Sequence, residues 1–316
     1  MAVATPTLFG QTLLSLSLCP RQARAEPDAS DTPLALFPPA HERLVGRVRE
    51  LTRASRALAL DSDDKGVLFH GLAGGGKTAC ALEVAWQQED VGRFQRFVWF
   101  KAPDAGQEIT TALTNLAHAL ERQLGPRVAM LDKLDRRDEL LAFLPRLADV
   151  LRKNSVLIVI DNLESLLRET SKVAGTLRVP AADAVGGADG TRSVPATLNR
   201  WRDERWGDVI DALLSHDGPS RLVLTSRLAV PVGQSEFARS LDPQRQAKLA
   251  GRLLTLPVHA LSLDETALLA RQLPGLRALL EGDRAADGFQ REAHRQLVCR
   301  MLRRVRPQRM AMSGDG

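Results

Sequence analysis

The chain has 316 residues, 44% of them hydrophobic and 26% charged, which is length and apolar content enough for two cored domains. Its net charge of +5 is concentrated in one place: residues 291–316 carry seven arginines (Arg291, Arg295, Arg300, Arg303, Arg304, Arg306, Arg309) against Glu292 and Asp315, so the rest of the chain is neutral and no general affinity for polyanions is implied. Three cysteines, Cys19, Cys80 and Cys299, odd in number and far apart, exclude a disulfide framework and a cysteine-built metal site.

Residues 1–40 carry Pro6, Pro20, Pro27, Pro33, Pro38 and Pro39 without sustained periodicity and are expected to be a linker or the remnant of an upstream domain. The apolar run 8–18, followed by Ala23-Arg24-Ala25, has the outline of a signal peptide, but no positive charge precedes it and export is rejected. No stretch is long enough to span a membrane, and the cytoplasm is the expected compartment. Leu44, Val48 and Leu51 then open a helix over about 44–60.

Next comes Gly71-Leu72-Ala73-Gly74-Gly75-Gly76-Lys77-Thr78, which fits the phosphate-binding pattern G-x-x-x-x-G-K-[ST]. Gly66-Val67-Leu68-Phe69-His70 before it reads as a buried strand and 78–86 after it as a helix, the setting that pattern requires. A triphosphate is a dense anion, best held by backbone N–H groups at a helix N-terminus, where unpaired donors and the positive dipole end coincide. Gly71, Gly74, Gly75 and Gly76 are expected to let the backbone curl around it, with Ala79 in the first turn behind them. Lys77 is expected to reach the β- and γ-phosphates, and the Thr78 hydroxyl to complete the shell of a Mg²⁺ ion, so the expected ligands are ATP or ADP with Mg²⁺.

Arg96-Phe97-Val98-Trp99-Phe100 is a second predicted strand; 109–124 and 139–151 are amphipathic helices. Ser155-Val156-Leu157-Ile158-Val159-Ile160-Asp161 is a continuous apolar run ending in a carboxylate, the mark of a parallel strand covered on both faces whose final acid points into a ligand crevice. Asp161 is therefore the expected metal acid opposite Thr78. Residues 170–197, rich in Ala, Gly, Asp and Pro, predict a mobile excursion. Trp201 and Trp206 read as packing anchors rather than a base-stacking platform. Arg221-Leu222-Val223-Leu224-Thr225 is a fourth strand, and 253–258 a fifth, placed at the edge because of Pro257. From Asp264 the pattern is helical.

The alternation from 66 to 260 predicts a three-layer α/β sandwich with a mainly parallel five-stranded sheet. Residues 41–262 form the expected nucleotide-binding domain and 263–316 a small, truncated helical lid. Nucleic acid enters only as a candidate partner of the basic terminal helix, which is more commonly a solvated face.

Val45-Gly46-Arg47, the glycine-rich loop, Ile158-Val159-Ile160-Asp161-Asn162-Leu163-Glu164 and Ser220-Arg221-Leu222-Val223-Leu224-Thr225-Ser226-Arg227 together resemble the successive motifs of the STAND signalling ATPases, the NB-ARC/NACHT-like class related to AAA+ proteins. The resemblance covers about 42–305. It implies that Val45 and Arg47 lie against the adenine, that Arg227 senses the γ-phosphate, that a helical domain closes over the nucleotide, and that the Arg227 strand lies between the strands of the glycine-rich loop and of Asp161. It implies protein partners or self-assembly as well. The bland reading of Arg227 is a surface arginine at a strand end.

Two departures stand out. The second acid that follows the metal acid in many relatives is Asn162, which can orient a water but takes no proton. The family's Gly-x-Pro motif after the last helix is missing, and the chain resembles a core fragment without effector and repeat domains. Slow hydrolysis would then rest on Glu164, three residues past Asp161. Glu164 reads equally well as an ordinary first-turn glutamate at a helix N-terminus. The function this points to is a regulatory switch between ADP- and ATP-bound forms with slow hydrolysis. An origin-recognition-like AAA+ ATPase acting on DNA, and a nucleotide-bound scaffold that never hydrolyses, are the alternatives.

Overall fold

The computed structural model describes residues 37–39, 44–104, 111–125, 128–168, 173–180, 191–197 and 199–261, together with Glu265, Leu268 and Leu269. The expected linker before residue 37, nearly all of the expected lid and the basic helix after 291 lie outside these residues. Two compact units divide the chain. One comprises Arg21–Glu42 and Arg47–Val258, the other Met1–Pro20, Arg43–Gly46 and His259–Gly316. The elements below belong to the first.

In chain order they are α1 (Val48–Ala57), β1 (Gly66–His70), α2 (Lys77–Asp90), β2 (Arg96–Lys101), α3 (Ala112–Leu124), α4 (Arg137–Lys153), β3 (Val156–Asp161), β4 (Leu167–Arg168), β5 (Val173–Pro180), β6 (Thr191–Thr197), β7 (Arg200–Trp201), α5 (Arg205–Leu214), β8 (Arg221–Ser226), α6 (Glu236–Ser240), α7 (Pro243–Leu249) and β9 (Leu253–Pro257). The main sheet runs β2-β3-β8-β1-β9-β5-β6, while β4 and β7 form a separate antiparallel pair. Every neighbour from β2 to β5 is parallel and only β6 is antiparallel. β8 thus lies between β1 and β3, as the resemblance implied.

Strand alternation sends successive side chains to opposite faces, and both faces here are covered. Val156, Ile158 and Ile160 of β3, Leu222 and Leu224 of β8 and Leu68 of β1 join one core with Leu116 and Leu120 of α3, Leu144 and Leu147 of α4 and Ile210 of α5. Leu157, Val159, Val223, Val67 and Phe69 join a second core with Ala54 of α1 and Cys80, Ala81, Val84 and Ala85 of α2. The result is the three-layer α/β sandwich of the P-loop nucleotide-binding type. Trp201 and Trp206 are both buried, and Trp206 stacks on Phe100 with ring centroids 5.7 Å apart, so they do serve packing.

Three expectations need correction. Stretch 170–197, expected as a mobile excursion, contributes the hairpin β5-β6, which adds two strands beside the expected five, β2-β3-β8-β1-β9. Its β-formers are interrupted by Gly175, at a register irregularity of β5, by Pro180, the last residue of β5, and by Pro195 on the edge strand β6, and together they disguise the period. β9 is consequently interior, with β5 on its far side. Pro257 is harmless there because it is the last residue of the strand, and the ladder continues with Val258 N–H donating to His70 O at 2.7 Å. Finally, Phe37 packs edge-on against Trp86, Phe97 and Trp99, and Trp86 Nε1 donates to Pro38 O at 3.2 Å, so the folded body reaches back to these residues.

Candidate functional site

The register sets the carboxyl ends of three adjacent strands level: Phe69 pairs with Thr225 and His70 with Ser226, while Ile160 pairs with Leu224. The segments leaving them, 71–76, 162–164 and 227, therefore gather at one end of the sheet, where open parallel sheets bind ligands.

The glycine-rich loop joins β1 to α2 without a capping side chain, since Gly76 occupies the N-cap with φ 89°. Gly74 also has a left-handed φ of 72°, and nothing lies within 4 Å of where a Cβ would stand at either position, so the concave side of the loop is open. Gly71 is held differently. A Cβ there would stand 2.3 Å from Val258 O, so the loop's entry is fixed by close approach to the end of β9. The Lys77 side chain turns back over the loop and its Nζ donates to Leu72 O at 2.9 Å. Burial lowers the pKa of this ammonium, with Arg227 acting the same way and Glu164 and Asp161 opposing. Ala79 follows in the first turn of α2, half-buried.

Asp161 ends β3 almost fully buried, and its Oδ1 accepts from the Thr78 hydroxyl at 2.7 Å and from the Thr225 hydroxyl at 2.6 Å. Thr225 in turn accepts from Asn162 N–H at 2.9 Å. This hydroxyl cross-links β3 and β8 beneath the site and was not singled out from the sequence. Its signal was a lone hydroxyl in an apolar strand, level with the acid. Thr78 and Asp161, 83 residues apart, thus present a hydroxyl and a carboxylate oxygen side by side, a hard donor pair suited to Mg²⁺ in the company of phosphate oxygens and water. Among the described residues no group of three His, Cys, Asp or Glu offers an all-protein metal cage.

Arg47 and Asn162 are the two non-glycine residues with left-handed φ among those described, at 64° and 68°, and both border this site. Arg47 Nη2 donates to Gly75 O at 2.8 Å, so the start of α1 holds the glycine-rich loop. Val45 is buried and belongs to the second compact unit. The Asn162 amide points away from the loop, with Nδ2 reaching Ala102 O at 3.3 Å, Pro103 O at 3.0 Å and Asp104 Oδ1 at 3.3 Å. A left-handed position whose side chain must donate to carbonyls favours asparagine over a second acid.

Glu164 lies in a short 3-10 turn, Leu163–Leu166, and faces Arg227. Arg227 Nε donates to Glu164 Oε1 at 2.8 Å and Arg227 N–H to Oε2 at 3.2 Å. His70, at the end of β1, has its pKa lowered by burial, with Lys77 adding to the effect. The structure thus brings Lys77, Thr78, Asp161, Glu164 and Arg227 to one end of the sheet.

No family model and no curated protein matches the chain. Among solved structures it is similar to a chain of the E. coli MS115-1 HORMA:CdnC:Trip13 complex, at 17% identity over 80% of this chain and 74% of that one with a TM-score of 0.37. It is also similar to a DNA replication initiation factor, at 11% identity over 81% of this chain and 62% of that one with a TM-score of 0.36. This chain therefore spans less than two thirds of the second protein. Likeness at that level carries no argument about activity, which has to come from the site itself.

Proposed function

We propose that the chain is an ATP- and ADP-binding regulatory switch of the STAND type, with slow Mg²⁺-dependent hydrolysis, coupling nucleotide state to an effector or to assembly. The observation that supports it most is the contact of Thr78 with Asp161. It joins an open glycine loop to an acid two strands away, across the interposed strand that carries Arg227. The loop N–H groups and the N-terminus of α2 would hold the phosphates. Lys77 would exchange Leu72 O for a phosphate oxygen, a stronger bond because donor and acceptor are then both charged. Mg²⁺, held by Thr78 and Asp161, would neutralise phosphate charge.

Switching requires that a ligand bind two states unequally. Arg47 supplies a lever, because it holds Gly75 of the loop and starts α1, so adjustment of the loop to a γ-phosphate strains a helix outside the site. By resemblance Arg47 would lie against the adenine. The non-hydrolysing scaffold is the second reading, supported by the Asn162 amide, which is directed at the residues after β2 rather than at the glycine loop.

Limited proteolysis and sedimentation of the protein with Mg²⁺-ADP and with Mg²⁺-ATP test the switch. Distinct cleavage patterns or masses are expected for the two nucleotides. Identical behaviour at saturation with both would reduce the chain to a nucleotide-binding scaffold.

A further inference from the structure

We infer that Glu164 is a positioning residue for Arg227, fixing its guanidinium so that its outer fork reads the γ-phosphate, and is not the base of a hydrolytic step. The inference rests on the proposed nucleotide site and names the residue that sets its preference for ATP over ADP.

Both oxygens of the Glu164 carboxylate are committed to one partner. Oε1 accepts from Arg227 Nε at 2.8 Å and Oε2 from the backbone N–H of the same residue at 3.2 Å. A carboxylate gripping one residue at two points fixes where that side chain leaves the strand and how its plane is turned. A base would instead need an oxygen turned to a water in line with the phosphate.

Exposure shows which partner is the anchor. The Glu164 side chain is 9% exposed and the Arg227 side chain 47%. The glutamate is set in the 3-10 turn between two buried residues, Leu163 and Ser165, whereas the arginine reaches outward. The bond uses Nε, the inner nitrogen, and among the described residues neither terminal nitrogen of Arg227 has a hydrogen-bond partner. Those two nitrogens form the planar fork that suits a phosphate. Register brings the fork to the right place, because Ser226 is level with His70 and Gly71 N–H donates to Ser226 O at 3.3 Å, so Arg227 follows directly beside the entry of the glycine loop.

An ADP complex lacks the group that the fork would read. Losing Glu164 should therefore act as losing Arg227 acts, selectively on the triphosphate. A general base predicts the opposite split, with binding kept and turnover lost.

The test is a double-mutant cycle on full-length protein, measuring ATP and ADP affinity for wild type, Glu164→Ala, Arg227→Ala and the double variant, with melting temperature as control of folding and Glu164→Gln as the milder probe. Expected are losses of ATP affinity of about 10- to 100-fold in each single variant, little change for ADP, and a double variant no worse than Arg227→Ala alone. Glu164→Gln, which keeps one acceptor, should fall between wild type and Glu164→Ala. ATP affinity unchanged in Glu164→Gln with single-turnover hydrolysis abolished would overturn the inference in favour of a base. Additive losses in the double variant would overturn it too. Wild-type protein that binds neither nucleotide would instead defeat the nucleotide reading itself, and the positioning role with it.

Discussion

At the scale of single residues, the environment decides chemistry that residue type leaves open. His216 and Asp211 are both buried and titrate in opposite senses. The His216 imidazole is pushed down to about 3 by burial and by Lys65, Arg221 and Arg252, and its Nδ1 accepts from Gly218 N–H at 3.1 Å. From its ordinary 6.5 down to about 3 the unfolded chain binds a proton that the folded chain refuses, so stability falls as pH falls through that window. The Asp211 carboxyl is pushed up to about 6 by burial, against hydrogen bonds from Gly233 and Ser235 and with Asp208 nearby. Here the folded chain keeps the proton, so stability falls as pH rises from 3.8 to about 6. The histidine has the larger shift, and net acid sensitivity is expected. Denaturant unfolding at pH 4 and pH 7 checks this: His216→Asn should lose much less stability on acidification than wild type, by on the order of a few kcal/mol. An equal acid loss in both proteins would show that His216 contributes nothing.

The same scale shows what the sequence could tell. Lys77 and Thr78 were legible because they close a fixed glycine-rich pattern, and Asp161 because it ends a continuous apolar run. The Asn162 amide was not, because its direction follows from a left-handed backbone that no pattern announces. Nor was the Glu164 grip on Arg227, made across 63 residues by two side chains whose spacing carries no signal.

At the scale of elements, β3 announced itself: five consecutive apolar residues, 156–160, buried on both faces of the sheet, lead to the buried Asp161. β5 and β6 did not, because the proline and glycine that otherwise mark a loop are accommodated here at an irregularity and at the end of β5 and on the edge strand β6. β8 is instructive at both ends. Its last residues approach the glycine loop, whereas Arg221, its first, lies buried at the opposite end and donates to Gly218 O and Ser220 O at 2.8 Å, Ala59 O at 2.7 Å and Leu60 O at 3.1 Å. The motif that contains both arginines cannot separate them; burial does. Arg221 ties the start of β8 to the chain leaving α1. Replacing it by methionine keeps roughly the volume but leaves four carbonyls, that of Ser220 buried, without that donor, and should cost about 3 kcal/mol, a fall in melting temperature of roughly 10 °C, with ATP affinity retained below the transition. A melting temperature within a degree or two of wild type would show that the tie is redundant.

At the scale of the whole molecule, the architecture places the site. The parallel order β2-β3-β8-β1-β9 sets a glycine loop, a buried acid and an arginine on neighbouring strand ends, and the hairpin β5-β6 extends the sheet on the far side of β9, away from β3. The central claim is that this end of the sheet holds a nucleoside triphosphate with Mg²⁺. Calorimetric titration of ATP into wild type, Lys77→Ala and Asp161→Asn, each with Mg²⁺ and with EDTA, tests it most directly. The account predicts that wild type binds and that Mg²⁺ tightens binding. Lys77→Ala should lose more than about 100-fold in affinity while still melting cooperatively, and Asp161→Asn should lose most of the benefit of Mg²⁺. ATP affinity unchanged in Lys77→Ala, or the same Mg²⁺ benefit in Asp161→Asn as in wild type, would contradict it.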